Sequence, residues 1–397
     1  MCGICGIYLW DSEKAVKPEL LNQMNQQMLH RGPDAGAIFN KKNIGLGHRR
    51  LKIIDLNGGA QPMLSEDEQV ALVFNGEIYN YKALRQELTA KGYTFDSKSD
   101  TEVVLKAYIE WGTSFLERLR GMFGIAIYDF NENRLVIARD RLGIKPVYYV
   151  TTDNGIYFSS EIKPLRTASP ETKGVNLGAL DMYMTVGYVP GEDTAFNGIK
   201  KLNPGHLLVI ENGKQSIKPY WELKNKEPSN KTFDETLLEF EALLKQTVEL
   251  HLASDVPLGA FLSGGVDSSA LVALMSDVSE EPVKTFSVGY KDDPESSELK
   301  YAAIVAKQFN TDHHEFFLEP TEFFNSLDML LEFSEEPIVE SAAVALYQLS
   351  LLAKEHVTVI LSGEGGDEIL SGYPLYQIMP KVDKLFNFLR LIPSGVN

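Results

Sequence analysis

The chain has 397 residues, of which 44% are hydrophobic and 23% are charged, proportions that predict a soluble globular protein with room for two domains. Its 38 basic and 55 acidic residues give a formal net charge of -17, which argues against nucleic acid or an anionic membrane surface as a partner. No apolar run approaches the roughly 18 residues of a membrane span and no signal peptide precedes the first strand, so we predict a cytoplasmic protein.

The first segment, Met1–Trp10, predicts a buried strand that carries both cysteines of the chain, Cys2 and Cys5. A Cys-x-x-Cys pair can indicate redox chemistry or half of a zinc site, but no second pair exists, and residues three apart in a strand point to opposite faces. Cys2 follows the initiator methionine, whose removal we expect. That removal would leave an α-amine with a pKa of about 7.7–8.0 beside the thiol, as in N-terminal nucleophiles. On its own, a cysteine at this position can be incidental.

Paired strands and a few helices follow in the first half of the chain. The pattern predicts helices over 18–29 and 101–119, and hairpins that join 122–129 to 134–138 and 146–150 to 155–158. Asn75-Gly76 is by itself a strong turn signal. Sequence-adjacent strands with helices over them predict stacked antiparallel sheets between helical layers.

A polar run from 224 to 231 predicts a linker, and Thr232 with Glu235 predicts a capping box that opens a helix to about His251. Strands and helices alternate beyond it, which predicts a parallel doubly wound sheet with its ligand at the carboxyl ends of the strands. The predicted strands cover 257–262, 283–288 and 357–361, and the predicted helices cover 268–275, 298–309 and 341–355.

The loop between the first of these strands and its helix reads Ser263-Gly-Gly-Val-Asp-Ser-Ser269. Glycines that admit a ligand, hydroxyl donors and a helix N-terminus together favour a phosphate site over a serine-capped turn. Asp267 would repel phosphates unless a cation lies between, which indicates Mg²⁺. The loop lacks a terminal Gly-Lys-Ser/Thr, so γ-phosphate transfer is not expected.

Several motifs occur in an order that resembles a known family. Met1-Cys-Gly-Ile4 is followed by the strings at 30–34 (HRGPD), 48–55 (HRRLKIID), 74–80 (FNGEIYN) and 99–102 (SDTE), which resemble class II glutamine amidotransferases. The loop at Ser263 resembles that of ATP pyrophosphatases. Together they resemble the glutamine-dependent asparagine synthetases of the bacterial type.

The resemblance implies roles for residues in the first half. Cys2 would be the nucleophile, Arg50 would hold the glutamine carboxylate, and Glu77 with Asp100 would hold its ammonium group. Asn75 and the N–H of Gly76 would form the oxyanion hole. The alternatives are a plain hairpin turn at Asn75-Gly76 and surface charges at Arg50 and Asp100.

Roles in the second half follow in the same way. Asp267 and Asp367 would bind Mg²⁺, and Glu364 would handle the acceptor or a proton during amide formation, unless 364–368 is only a solvated acidic turn. The motifs at 139–146 and 158–163 are interpreted as framework. The ATP site would comprise Leu262, Ser263, Gly264, Gly265, Asp267, Ser268, Ser269, Val288 (from the 287–290 loop), Ser362 and Gly363.

The expected protein therefore has an N-terminal four-layer αββα fold of the N-terminal-nucleophile hydrolase type over 2–222 and an α/β parallel-sheet ATP-pyrophosphatase domain over 232–397. Glutamine would yield ammonia at Cys2, and the ammonia would cross a tunnel to an adenylated carboxylate, expected to be that of aspartate. Alternatives are another acceptor, such as a sugar acid or peptide, and a chain with glutaminase or binding activity only. The chain ends earlier than the resemblance leads us to expect. The sequence does not fix the oligomeric state, for which a homodimer is retained as an expectation.

Overall fold

The computed structural model describes residues 1–169, 172, 174–224, 227, 229–290, 297–336 and 342–389. The chain divides into two compact units, which are described separately. The first comprises Met1–Glu241, Ala253–Asp255 and Asp328–Ser341. The second comprises Ala242–Leu252, Val256–Leu327 and Ala342–Asn397. The boundaries of 2–222 and 232–397 stay a prediction.

The first unit is built from strands in two sheets and from helices that flank them. Its strands are β1 (Gly3–Leu9), β2 (Ala35–Lys41), β3 (Ile44–Arg50), β4 (Met63–Leu64), β5 (Val70–Ile78), β6 (Gly121–Asp129), β7 (Arg134–Arg139), β8 (Tyr148–Thr151), β9 (Gly155–Ser159), β10 (Lys200–Lys201), β11 (His206–Glu211) and β12 (Lys214–Pro219). Its helices are α1 (Pro18–Gln26), α2 (Tyr81–Ala90), α3 (Asp100–Trp111), α4 (Phe115–Arg118), α5 (Ile162–Ala168) and α6 (Leu177–Val186).

Both sheets of this unit are antiparallel in every strand pair described. One has the order β10-β8-β9-β1-β3-β2 and the other the order β12-β11-β7-β6-β5-β4. β1 is central in its sheet, where Gly3 pairs with Arg49 and Cys5 pairs with both Gly47 and Ser159. The first residues of the chain therefore lie in the middle of a sheet, held from both sides.

Three apolar cores separate four layers. Ile4 and Tyr8 of β1 point between the sheets, toward Val73 of β5, whereas Cys5 and Ile7 point to the other face, under α1 and α5. A third core packs α2 and α3 against the outer face of β5 and β6. Side chains that alternate along each strand thus bury both faces of both sheets. This arrangement of helix, sheet, sheet and helix confirms the predicted αββα fold.

The second unit has one parallel sheet covered on both faces. Its strands are β13 (Leu258–Phe261), β14 (Lys284–Tyr290), β15 (Asp312–Leu318) and β16 (Val359–Leu361), and its helices are α7 (Phe233–His251), α8 (Val266–Val278), α9 (Leu299–Gln308), α10 (Pro320–Phe333), α11 (Ala342–Lys354), α12 (Gly366–Leu370) and α13 (Pro374–Leu389). Helices α7 and α10 contribute residues to both units.

The strand order is β15-β14-β13-β16, with every pair parallel. Helices α8 and α9 pack on one face of this sheet and α11 packs on the other, which confirms the predicted doubly wound sheet. The chain adds β14 and β15 on one side of β13 and then returns to add β16 on the other side. Loops after β13 and β16 therefore diverge from a topological switch point, where ligands bind in such sheets.

Several local predictions need correction. Asn75 and Gly76 are not a turn: both lie within β5, opposite Gly124 and Phe123 of β6. The loop predicted at 287–290 is the end of β14, so Val288 lies in a strand. The helix predicted over 101–119 breaks at Gly112, whose φ is +55°. No strand was predicted at β2–β5, β10–β12 or β15, and no helix was predicted at α2, α5, α6 or α10.

Other local predictions hold. The Thr232 N–H donates to Glu235 Oε2 over 2.8 Å and the Glu235 N–H donates to Thr232 Oγ1 over 3.3 Å, so the capping box is present. Cys2 and Cys5 are both free thiols, Cys5 fully buried and Cys2 half-buried. Among the described residues, no helix is long and apolar enough to span a membrane.

Candidate active site

The Cys2 thiol lies just before β1 and contacts the chain that leaves β3. The Leu51 N–H donates to Cys2 Sγ over 3.4 Å, and the thiol lies 3.6 Å from the Leu51 carbonyl oxygen. Burial raises the pKa of this thiol, although the Leu51 N–H, the chain's own ammonium group and Arg50 act in the opposite direction. A raised pKa keeps the thiol protonated near neutral pH, so attack on a carbonyl requires a neighbouring base.

The terminal amine of the chain lies near enough to this thiol to lower its pKa. The pKa of the amine is itself lowered to about 6, chiefly by burial and further by the positive charges of Arg31 and Lys145. An amine with such a pKa is mostly uncharged at pH 7 and can accept a proton. In this chain the amine belongs to Met1, whose Sδ lies 3.2 Å from the buried Lys145 Nζ.

Arg50, at the end of β3, is buried beside the loop that follows it. Arg50 Nη2 donates to the Ile54 and Asp55 carbonyls over 3.2 and 2.8 Å. Gly59, at φ +62°, lets the same loop come close: a Cβ there would lie 2.6 Å from Ser99 Oγ and 3.1 Å from Arg50 Nη2. Arg50 is thereby brought close to the N-terminus of α3, where Ser99 is the capping residue.

One edge of β5 carries backbone N–H groups that point away from β6. The Phe74 N–H donates to the Gln61 side chain over 2.6 Å, and the Ile78 N–H donates to Asp100 Oδ2 over 3.1 Å, so both point away from β6. N–H groups alternate in direction along a strand, and that of Gly76, midway between them, points to the same edge. Gly76 also has to be glycine, because a Cβ there would lie 2.1 Å from the Met122 carbonyl oxygen.

Asn75 carries an unsatisfied donor. Its side chain is 1% exposed, and Nδ2 has no hydrogen-bond partner among the described residues. Buried amide nitrogens are nearly always paired, because desolvation without a partner costs about 1–3 kcal/mol. Asn75 and Glu77 lie two residues apart on β5 and so project to the same face. An unpaired donor at this position is available to bind an oxygen atom of a ligand.

Two carboxyl groups, those of Glu77 and Asp100, lie close enough for one to raise the pKa of the other. Burial, with the Asp100 charge second, raises the pKa of Glu77 to about 7. Burial raises the pKa of Asp100 to about 6, although N–H groups of Ile78 and Thr101 favour its ionised form. Paired carboxylates in a buried site are poised to receive a cationic group, which would relieve their repulsion.

In the second unit, the Ser263–Ser269 loop is closed by its own hydroxyls. Ser263 Oγ and Ser268 Oγ lie 2.9 Å apart, and Ser263 Oγ accepts from the Gly265 N–H over 3.2 Å. Gly265 precedes α8 without a capping side chain. Gly264, at φ +81°, packs on α9, where a Cβ would lie 2.5 Å from the Ala302 nitrogen. The loop is therefore a tight backbone turn at a 13-residue helix.

The loop after β16 lies against the start of α8. A Cβ at Gly363 would lie 3.0 Å from the Asp267 Cβ and the Ser268 nitrogen, and one at Gly366 would lie 2.4 Å from Asp267 Oδ2. The structure thus brings Asp267 next to the loop that carries Glu364 and next to the start of α12, where Asp367 lies. Within the described part of the chain, no cluster of three or more potential metal ligands occurs. Leu262 and Ser362 directly follow β13 and β16, Ser269 lies in the first turn of α8, and Val288 lies in the neighbouring strand.

Comparison with known proteins gives two matching families along the chain. A glutamine amidotransferase domain family matches residues 1–221, and an asparagine synthase family matches residues 239–394. A putative asparagine synthetase [glutamine-hydrolyzing] 2 from Methanocaldococcus jannaschii is 36% identical over 99% of this chain and 80% of that protein. This chain belongs to the glutamine-hydrolysing asparagine synthetase family.

Further members of the family are similar over almost the whole chain. Asparagine synthetase [glutamine-hydrolyzing] 1 of Bacillus subtilis is 40% identical and asparagine synthetase B [glutamine-hydrolyzing] of Escherichia coli is 32% identical. The matches cover 100% and 97% of this chain, but 62% and 67% of the relatives. The chain thus spans less than two thirds of the length of the Bacillus relative.

Sequence reasoning gave no site role to three charged residues that the structure places near Cys2. Arg31 Nε donates to the Cys2 carbonyl over 2.9 Å, and Glu161 accepts from Arg31 over 3.1 Å. Lys145 is buried, and burial lowers its pKa. Each of these residues lies in a motif recognised from the sequence: Arg31 in HRGPD, Lys145 in the motif at 139–146 and Glu161 in the motif at 158–163. Nothing in the local sequence distinguishes them from framework residues.

The raised pKa of Glu77 predicts a stability change on substitution. Between its ordinary value of 4.5 and about 7, the folded protein binds a proton that the unfolded chain has lost, so Glu77 makes stability fall as pH rises through this window. A Glu77→Gln variant should therefore gain stability over the wild type at pH 8, by up to about 3 kcal/mol, and none at pH 4. Urea unfolding at both pH values measures this, and an equal gain at both would contradict it.

A glycine substitution tests the phosphate-loop geometry. Gly264→Ala should reduce any nucleotide binding by the second unit at least about tenfold, because the new Cβ meets α9 backbone as well as an unfavourable φ. Gly213→Ala is a matched control, since Gly213 has φ +71° but open space around it, and it should cost only about 1–2 kcal/mol of stability. Titration calorimetry with ATP on both variants gives the comparison, and equal affinities would contradict the assignment.

Proposed function

We propose that the first unit hydrolyses glutamine with Cys2 as the nucleophile. The observation that carries this proposal is the buried Asn75 Nδ2, which has no hydrogen-bond partner among the described residues and lies next to the strand edge to which the Gly76 N–H points. Two preorganised donors beside a thiol are what an acyl-transfer site needs to stabilise a tetrahedral oxyanion. Once Met1 is removed, the thiol and the α-amine of Cys2 supply the nucleophile and the base.

Recognition of glutamine follows from the charges around the thiol. Both hydrogen bonds described for the Arg50 guanidinium use Nη2, which leaves the rest of the fork for the substrate α-carboxylate. Glu77 and Asp100 receive the α-ammonium group. The carboxamide then lies toward Cys2, with its oxygen toward Asn75 and Gly76. These assignments rest on the side of β5 that the residues share and on the electrostatic coupling among them.

The reaction proceeds in two halves. The Cys2 sulfur attacks the carboxamide carbon as the thiol proton passes to the terminal amine, which belongs to Cys2 once Met1 is removed. The tetrahedral oxyanion is held by Asn75 and Gly76, and it collapses as the ammonium group passes its proton to the leaving nitrogen. Ammonia is released, the amine is free again to act as a base, and a thioester remains. Water, deprotonated by the same amine, then attacks the thioester, and glutamate leaves as the thiol is restored.

We further propose that the second unit activates a carboxylate with ATP. Support comes from the turn at Ser263–Gly265, the N-terminus of α8 and the adjacent loop at 362–367, which meet at the switch point of the sheet. The α-phosphate is attacked by the β-carboxylate of aspartate, and pyrophosphate leaves. Ammonia then attacks the acyl carbon and displaces AMP, and Glu364 accepts the proton that the nitrogen loses. Aspartate is proposed from the names of the relatives.

Mg²⁺ fits the residues present. Proteins hold this ion through one or two carboxylates together with substrate phosphates, and Asp267 lies against the Gly366 backbone that leads into Asp367. Asp267 and Asp367 would hold the ion. When bound, Mg²⁺ neutralises phosphate charge that Asp267 alone would repel.

The test follows three products in one experiment. The purified chain is incubated with ATP, Mg²⁺ and glutamine, with and without aspartate, while glutamate, AMP and pyrophosphate are measured. Release of all three, with AMP dependent on aspartate, is expected. Glutamate without AMP would restrict the proposal to the first unit, and AMP release with another carboxylate in place of aspartate would change the acceptor. Absence of glutamate formation would overturn the glutaminase assignment.

A further inference from the structure

The main-chain carbonyl of Cys2 is held from outside the sheet. The ladder between β1 and β3 begins at Gly3, which pairs with Arg49, so Cys2 lies one residue before the paired strand. Its carbonyl accepts from Arg31 Nε over 2.9 Å. The Arg31 guanidinium thus gives the Cys2 backbone a hydrogen bond at a position that the sheet ladder does not reach.

Arg31 is itself held by a buried carboxylate. Glu161 Oε1 accepts from Arg31 Nη1 over 3.1 Å and lies 2.8 Å from His30 Nε2. The side chains of Arg31 and Glu161 are 10% and 5% exposed. A guanidinium with so little access to water depends on its carboxylate partner, because an unpaired buried charge is strongly unfavourable.

Glu161 is fixed relative to β1. It precedes α5 in extended conformation, and its N–H donates to Ser159 Oγ over 3.2 Å. The next residue back, Ser160, is tied to β1 twice: its N–H donates to the Ile4 carbonyl over 2.8 Å, and its Oγ accepts from the Ile4 N–H over 3.0 Å. Glu161 is thereby fixed to β1, the strand that directly follows Cys2.

Glu161 also lies beside a second buried carboxyl. Glu335 Oε2 accepts from the Ile162 N–H over 2.6 Å, directly after Glu161 in the chain. Burial, with the charge of Glu161 a further cause, raises the pKa of Glu335 to about 7. Near neutral pH, Glu335 therefore holds a proton for much of the time, and Glu161 is the carboxyl group that contacts Arg31.

We propose that Glu161 is a positioning residue for glutamine hydrolysis, acting through Arg31 on the backbone of Cys2. The proposal rests on the glutaminase function proposed above. Loss of the Glu161 charge would release Arg31 from the Cys2 carbonyl and let the thiol leave its position relative to the oxyanion donors. A displacement of about 1 Å at a reacting group can cost about 10²-fold in rate.

The test compares four proteins: wild type, Glu161→Gln, Arg31→Lys and the double variant. Glu161→Gln keeps the side-chain shape and should lower kcat for glutamine roughly 10- to 100-fold, with KM changed by less than about threefold because Glu161 is not assigned to the substrate. Arg31→Lys removes the planar guanidinium, which contacts the Cys2 carbonyl through Nε and Glu161 through Nη1. Both variants break the same series of contacts, from Glu161 through Arg31 to Cys2. The kcat of the double variant should therefore be little lower than that of the worse single variant.

Glu211→Gln serves as the control. Glu211 pairs with Arg134 over 2.7 Å in the same unit, away from Cys2, so its loss should leave kcat unchanged. Thermal unfolding of each variant identifies any that do not fold, and if Glu161→Gln is among them, Arg31→Lys alone tests the same contact. Unchanged kcat in the folded single variants, or losses that multiply in the double variant, would overturn the proposal.

A second readout separates this proposal from the glutaminase assignment. The rate at which iodoacetamide alkylates Cys2 is measured against pH in the same variants, with Cys2→Ala as the blank. Glu161→Gln should shift this profile relative to Glu211→Gln, whether or not glutamine is hydrolysed. If the wild type forms no glutamate, the proposed function fails while the alkylation profile still tests Glu161. An alkylation profile equal to that of the wild type would count against Glu161.

Discussion

Replacing Cys2 by alanine should abolish glutamine hydrolysis, with a loss of roughly 10⁴-fold or more in kcat. The reason is chemical: Asn75 and Gly76 can stabilise an oxyanion only after a nucleophile has attacked, and no other thiol faces the site, since Cys5 points into the core beneath α1. Losses of this size are typical when the nucleophile of a covalent mechanism is removed. Release of glutamate from glutamine is the measurement.

Two comparisons make this result specific. Cys5→Ala removes the other cysteine, which is fully buried, and should cost about 1 kcal/mol or more of stability but leave the rate per folded molecule near that of the wild type. Cys2→Ala should also retain ammonia-dependent release of AMP, because its second unit is unchanged. If Cys2→Ala lost the glutamine-dependent and the ammonia-dependent activity equally, the division of labour between the two units would be wrong.

Replacing Asn75 by alanine should lower kcat for glutamine hydrolysis by about 10²–10³-fold, equivalent to about 3–4 kcal/mol, with a much smaller change in KM. Asn75 Nδ2 has no partner among the described residues, so its loss removes no hydrogen bond from the resting protein. The variant should unfold at nearly the same urea concentration as the wild type, or at a slightly higher one. A large kinetic loss without a loss of stability distinguishes a transition-state donor from a structural amide.

Asn40→Ala provides the opposite case. Asn40 Nδ2 donates to the Val16 carbonyl over 2.8 Å, so that substitution should reduce stability by about 1 kcal/mol and leave kcat unchanged. Steady-state kinetics and urea unfolding on both variants give the four values required. If Asn75→Ala lost stability but kept its kcat, Asn75 would be a framework residue and the oxyanion hole would have to be sought elsewhere.

The sequence predicted most of the architecture, because the signals that mattered were periodic. Alternation along β1, β6 and β7 predicted buried strands, and the strand-to-helix pattern after residue 257 predicted a parallel sheet. β15 escaped notice because its seven residues, Asp312–Leu318, carry two histidines and two acids among few apolar positions. Such a composition resembles a loop when its pairing with β14 is unknown.

Local propensity misled at Asn75-Gly76. The pair is a strong turn signal, yet it lies in the middle of β5, where Gly76 is required by the approach of the Met122 carbonyl. Tertiary packing here overrides a short-range preference. A departure from local rules of this kind is frequent at functional sites, and this one coincides with the proposed oxyanion hole.

Long-range charge coupling could not be predicted from the sequence at all. Glu161 follows Arg31 by 130 residues, and nothing in either neighbourhood shows that they meet over the Cys2 carbonyl. Motif matching singled out both segments, but it could not separate residues that contact substrate from residues that hold others in place. That separation needs distances, which only the fold supplies.

The order of strands in the parallel sheet also constrains how the protein is made. β13 is the first strand of this sheet to be synthesised, but its neighbour β16 follows about a hundred residues later, with Ala260 opposite Leu361. A growing chain on the ribosome can pair β13 with β14 well before β16 has been synthesised, so one long edge of β13 stays open in the meantime. Contacts that close such long loops are slow to form and leave strand edges exposed. The proposed nucleotide site should therefore be the last part of the sheet to form, and we expect nascent chains that end before Leu361 to depend most on chaperones.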